Sequence, residues 1–183
     1  MLPTILIAVA GALGLFLVLV ATRPSAYRVV RAGEVAVPPE VVFGALNDLQ
    51  RFANVLVFFG SPLEKSDPSL QLDISGPAAG VGQSLAWNSK DAGQGKLTIT
   101  ESVPAQKVGL LLEFVKPMAS RATYALALER TPTGSSVTWS MEGNHNFLGK
   151  AFGLFMDMDK ALGADLEKGL AQLQTETSTF KGQ

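Results

Sequence analysis

The sequence predicts an α+β protein: a curved antiparallel sheet closed by one long C-terminal helix, carried behind a single N-terminal membrane-spanning helix. Three observations lead there. The stretch "LPTILIAVAGALGLFLVLVA" at 2–21 holds no charge. Between residues 70 and 141 apolar side chains alternate with polar ones in six runs. After residue 147 the apolar period lengthens to three and four.

About 20 uncharged residues at a helical rise of 1.5 Å match a hydrocarbon layer of roughly 30 Å, so the first stretch reads as a span. A cleaved signal peptide would need a basic start, a shorter apolar core and small residues before the cut. Here no Lys or Arg precedes the span and "VLVATRP" is a poor cleavage site, which favours an uncleaved single-pass anchor. Arg23, Arg28 and Arg31 follow it, and the preference of basic flanks for the inside puts the soluble domain on the cytoplasmic side. The expected division is an anchor at 1–23, one domain at 24–175 and a polar tail at 176–183.

The 183 residues carry a net charge of -1, no cysteine and one histidine. That excludes a disulfide framework and a thiolate metal site, and it leaves no basic field for nucleic acid. No cofactor is expected.

"YRVVRAGEVAV" at 27–37 is rich in β-branched residues and predicts the first strand. Pro38 and Pro39 open a helix, in which Val42, Ala45, Leu46, Leu49, Phe52 and Ala53 make one apolar stripe. "VLVFFGSPLEKSDPS" at 55–69 predicts a short second helix or turn and then a loop. Leu70, Leu72 and Ile74 begin the alternating series. Leu85 and Trp87 follow, then Leu97 and Ile99, then Val108, Leu110, Leu112 and Phe114, then Ala122, Tyr124, Leu126 and Leu128, and last Val137, Trp139 and Met141. Turn signals such as "SKDAGQG" and "TPTGSS" separate the runs, giving an antiparallel meander with one oily side. At about 100° per residue, Leu148, Phe152, Phe155, Leu162, Leu166, Leu170 and Leu173 fall on one face of a single closing helix that covers that side.

"PPEVVFGALNDLQRF", "SGPAAGVGQSLAW", "GKLTITESVPAQKV", "VTWSMEGNHNFLGKAFGLFMDMDK" and "GADLEKGLAQL" together resemble the START-like (SRPBCC) superfamily. The likeness is to its bacterial polyketide cyclase/dehydrase and lipid transport proteins with an N-terminal anchor, and it spans Tyr27 to Leu173. The resemblance implies a helix-grip fold with an elongated space between sheet and last helix, used for lipids, sterols, polyketides and other hydrophobic ligands. Some relatives are cyclases or dehydratases. Where such relatives carry a tryptophan-rich "WxxWSPW" run, this chain reads "FANVLVFFGSP", and Phe52, Phe58 and Phe59 stand in similar positions.

Trp87, Phe114, Tyr124, Trp139, Met141, Phe152 and Phe155 are the expected interior set. Large rings facing one another around a curved sheet can line a hydrophobic pocket or simply pack as a core. Asp159 falls within about 20° of the centre of the apolar stripe, where a bare carboxylate is costly. It is either a polar anchor or acid/base for a ligand, or it is turned to solvent or Lys160 by distortion at Gly149, Gly153 and Gly163. Glu101 shares the inward parity of Leu97 and Ile99 but stands where its strand ends. Glu101 and Asp159 are the catalytic candidates, for proton transfer. His145 would have to anchor any triad or histidine metal site, yet it sits in a polar junction where Asn144 or Asn146 can cap a helix. "GPAAGVG" joins two strands and is a turn, not a phosphate cradle. Three readings follow: a membrane-anchored binder of a lipid or other small hydrophobic ligand, a cyclase or dehydratase using cavity carboxylates, or a non-catalytic interaction module.

Overall fold

A computed structural model describes residues 2–58, 60–63 and 68–178. Phe59, residues 64–67 and the tail beyond Ser178 fall outside, and with them parts of the turn expected at 55–69 and of the tail at 176–183. The elements in order are α1 (Leu2–Thr22), β1 (Ala26–Val35), α2 (Pro39–Leu46), α3 (Leu49–Phe52), β2 (Val57–Phe58), β3 (Ser61–Pro62), β4 (Gln71–Ser75), β5 (Ser84–Ser89), β6 (Gly93–Val103), β7 (Lys107–Lys116), β8 (Ser120–Thr131), β9 (Gly134–Asn144), α4 (Phe147–Phe152) and α5 (Met158–Ser178).

The six alternating runs are β4 to β9, and with β1 they form one antiparallel sheet in the order β1-β9-β8-β7-β6-β5-β4. The meander therefore returns its last strand to its first, pairing Ala26 with Asn144 and Val35 with Ser135. Val29, Val137, Trp139, Met141, Tyr124, Leu126, Val108, Leu110, Leu112, Leu97, Ile99, Leu85 and Trp87 share the inner face and are buried. Leu166, Leu170 and Leu173 of α5 and the α2–α3 pair close over them in one core. Leu72 and Ile74 share that face through their partners Trp87 and Leu85, but β4 is an edge strand and leaves them part-exposed.

Two expectations are corrected by local polar chemistry. The single first helix breaks after Leu46, because Asp48 takes an extended backbone (φ -125°, ψ 110°) and caps α3 by accepting from the Gln50 N–H at 3.0 Å. After α3, where a short helix or turn and then a loop were expected, the described residues make a turn at 53–55 and a two-stranded hairpin, β2 with β3. The long closing helix is also two helices. Asn146 caps α4 by accepting from the Gly149 N–H at 2.8 Å, α4 stops at Gly153, and Asp157 accepts from the Lys160 N–H at 3.1 Å to start α5. An angular count carried through that break has no meaning. Leu148, Phe152 and Phe155 accordingly leave the face that Leu166, Leu170 and Leu173 keep, and all three are exposed.

α1 is long and apolar enough to cross a membrane, and it is almost wholly exposed along its length. It is thus no part of the domain's core. Its end and the start of α4 meet because the β1–β9 ladder runs on past the sheet, with the His145 N–H donating to the Ser25 carbonyl at 2.8 Å.

Candidate ligand site beneath the last helix

The inner face carries two aromatic groups. Trp139 lies between Phe52 (ring centroids 5.6 Å apart) and Tyr124 (5.4 Å, edge-on). Nearer the β4 edge, Phe58, Trp87 and Phe114 form a closed triangle with centroids 5.2 to 5.4 Å apart. Phe58 stacks on Trp87 while Phe114 meets both edge-on, and both arrangements suit the ring quadrupoles. The Trp87 ring occupies the place a side chain would take at its cross-strand partner Gly95, and its indole N–H donates to the Ala92 carbonyl at 3.3 Å. Trp139 has no such outlet. It is 2% exposed, and its indole N–H has no hydrogen-bond partner among the described residues. A buried donor left unpaired costs about 1–3 kcal/mol.

α5 rides close on this face. A Cβ at Gly169 would stand 2.7 Å from Cζ3 of Trp139, so the helix touches the ring directly. Further along, Gly163 leaves space for the Arg31 guanidinium, which comes from the inner face of β1. Arg31 Nη2 donates to Asp159 Oδ2 at 3.0 Å and Arg31 Nε to Glu167 Oε1 at 2.7 Å. Asp165 accepts from the Gly60 N–H at 2.8 Å and Lys168 Nζ donates to the Gly60 carbonyl at 3.0 Å, which holds the β2–β3 hairpin to the same helix. At the sheet's α4 end the Tyr27 ring covers Gly143 and stacks on His145 with centroids 4.3 Å apart. Burial pushes the Tyr27 phenol up and the His145 imidazole down. Burial first, and then the nearby Tyr27 and Asp165, push the Tyr124 phenol far above its ordinary value, so it stays a neutral O–H.

Of the seven residues read as interior, Trp87, Phe114, Tyr124, Trp139 and Met141 face inward on the sheet. Phe152 and Phe155 do not, at 57% and 82% exposed. The two carboxylate candidates are not brought together in the interior. Asp159 is paired to Arg31 and more than half exposed. It is turned out as the plainer reading had it, though toward Arg31 and not Lys160, whose partner is Asp157. Glu101 pairs with Lys107 Nζ at 2.7 Å. A bulge between Ile99 and Glu101 flips the parity, so Ser102 now points inward and donates to Asn47 Oδ1 at 2.7 Å while Glu101 points out. His145 sits in the expected polar junction, capped over by Tyr27.

Sequence reasoning missed Arg31 and Tyr27. Both lie on the alternate positions of β1 that also hold Val29 and Val35, so parity counted back from Val29 identifies them. A broad, open recess of about 600 Å³ lies away from the aromatic groups, where Arg28, Glu142, Thr123 and Leu111 line up across four strands on the outer face.

No family model matches the chain, and no curated protein matches it. Solved structures do. An uncharacterised protein from Rhizobium leguminosarum is 14% identical with a TM-score of 0.58, covering 86% of this chain and 97% of that one. Ara h 8.0201 is 13% identical with a TM-score of 0.56, covering 86% and 99%. StfQ, a di-domain ARO/CYC from the steffimycin biosynthetic pathway, is 10% identical with a TM-score of 0.57; the match covers 87% of this chain and 53% of StfQ. The fold is a helix grip. It is built here from the seven-stranded sheet and α5, as the likeness to these structures shows for the fold.

Proposed function

We propose that the chain is a membrane-anchored helix-grip protein that binds a lipid or another small hydrophobic ligand between the sheet and α5. Residues 1–23 serve as the anchor, 24–175 as the binding domain of the polyketide cyclase/dehydrase and lipid transport type, and Arg23, Arg28 and Arg31 keep that domain on the cytoplasmic side. The observation that carries the reading is the unpaired indole N–H of Trp139, a donor set among rings on the gripped face. A molecule with an apolar body and one acceptor oxygen satisfies that donor while replacing ring contacts with its own. Trp87, Phe114, Tyr124 and Met141 supply the remaining apolar wall. Because α5 rests on Trp139 at Gly169, uptake has to part helix from sheet.

Support also comes from what the polar residues are engaged in. Asp159 and Glu101 are each paired with a cation, Arg31 and Lys107, and both carboxylates are about half exposed, so neither supports acid/base chemistry in the interior. The test is native mass spectrometry of the full chain in lipid nanodiscs after exposure to membrane extract. A retained small lipophile is expected. Trp139→Phe, which keeps a ring and deletes the donor, should lower retention about two- to tenfold, the worth of one net hydrogen bond. No retained molecule, or retention indifferent to Trp139→Phe, would refute the assignment.

A further inference from the structure

We propose that residues 147–156, α4 and the turn after it, dip into the acyl layer of the bilayer beside α1. The proposal rests on α1 being an anchor, and it adds a second contact surface to that reading. Phe147, Leu148, Phe152, Phe155 and Met156 are all exposed within this one segment. Its only charge is Lys150, whose long stem lets an ammonium reach the headgroups from a shallow insertion. Large apolar residues clustered this densely on a surface mark a contact with something apolar.

The occupant follows from the neighbour. The β1–β9 ladder brings α4 up against α1, and the Phe155 ring stacks on Phe16 with centroids 6.3 Å apart. Phe16 precedes Thr22, the last residue of α1, by six positions, or about 9 Å of helix rise. Arg23, next in the chain, marks the water boundary of a spanning α1. Phe155 therefore lies below that boundary, at a depth where the bilayer is hydrocarbon, and the exposed apolar side chains of 147–156 stand beside the exposed apolar helix α1.

The absence of native cysteine makes the test direct. Single Leu13→Cys, Phe155→Cys, Leu148→Cys and Glu129→Cys variants of the full chain carry a polarity-sensitive fluorophore in phosphatidylcholine–phosphatidylglycerol vesicles. Each is read for quenching by aqueous iodide and by lipids brominated in the acyl chain, with near-UV circular dichroism to confirm the fold. Labels at Leu13, Phe155 and Leu148 should be shielded from iodide and quenched by the brominated chains, while the Glu129 label responds only to iodide. Leu13 in lipid with Phe155 and Leu148 open to iodide overturns the insertion and leaves the anchor standing. Phe155 shielded from iodide but untouched by brominated lipid points to contact between copies of the chain and also overturns it. Leu13 open to iodide removes the anchor, and the insertion falls with it.

Discussion

Replacing Gly169 by alanine measures how tightly α5 is seated on the gripped face. In an unobstructed helix interior alanine is better than glycine by about 1 kcal/mol. At 169 the new Cβ would lie 2.7 Å from Trp139 Cζ3 and 3.1 Å from the Val55 carbonyl oxygen, well inside the roughly 3.5–4.0 Å at which carbon contacts are most favourable. Neither neighbour can retreat, since Val55 is buried backbone and Trp139 is held between Phe52 and Tyr124. Overpacking of this kind costs about 1–3 kcal/mol, so the net effect is destabilisation by about 0–2 kcal/mol. Gly44 in α2 is the control. A Cβ there meets nothing within 4 Å, and Gly44→Ala should stabilise by up to about 1 kcal/mol. The two variants should separate by about 1–3 kcal/mol. At roughly 2–4 °C per kcal/mol for a domain of this size, that is a readable gap in Tm. Thermal unfolding of the full chain in detergent, followed by near-UV circular dichroism, gives the comparison. If Gly169→Ala melts at or above Gly44→Ala, α5 does not rest on Trp139, and a ligand needs no helix movement to reach it.

The remaining predictions use single side chains. The lone histidine gives one set of imidazole resonances, and its NMR titration should have a midpoint below 6.5 because burial beside Tyr27 disfavours the cation. Just below pH 6.5 the unfolded chain then binds more protons than the folded one, so stability falls as pH drops through that window, and His145→Asn flattens the slope. Asp159→Asn should cost less than about 1 kcal/mol, with the loss shrinking in high salt, because the pair is exposed and Arg31 keeps Glu167. A large drop in ligand retention at unchanged stability would instead place Asp159 against the ligand. Gln83→Met should destabilise by about 1–3 kcal/mol in denaturant titration, since the buried amide accepts from the Leu49 N–H at 2.8 Å and donates to the Ala78 carbonyl at 2.9 Å. An unchanged midpoint would mean that the loop before β5 does not depend on this clasp.

The sheet was legible because side-chain alternation is a local signal: Val108, Leu110 and Leu112 face the core whatever their partners are. What could not be read depends on events at single residues. One bulged position turns Glu101 outward, and only the cross-strand register with Gly109 reveals it. One capping carboxylate, Asp157, separates Phe152 and Phe155 from the face of Leu166 and Leu170, although Asn146, Gly153 and Asp157 were visible as stop and start signals. The sheet's part of the aromatic inner set, Trp87, Phe114, Tyr124 and Trp139, was readable from alternation, whereas the unpaired donor of Trp139 was not. Whether an indole finds an acceptor depends on which backbone carbonyls the finished packing brings to it. Arg31 was hidden for a different reason, because a charge that follows an apolar helix is first read as a topological flank.

The edge-to-edge return of the meander sets a timetable for synthesis. Residue 26 has its strand partner at residue 144, so β1 waits without a ladder while nearly the whole domain is made. If α1 is already lodged in the bilayer by then, β1 stays fixed at the membrane and the sheet is completed at that spot, by the last strand to leave the ribosome.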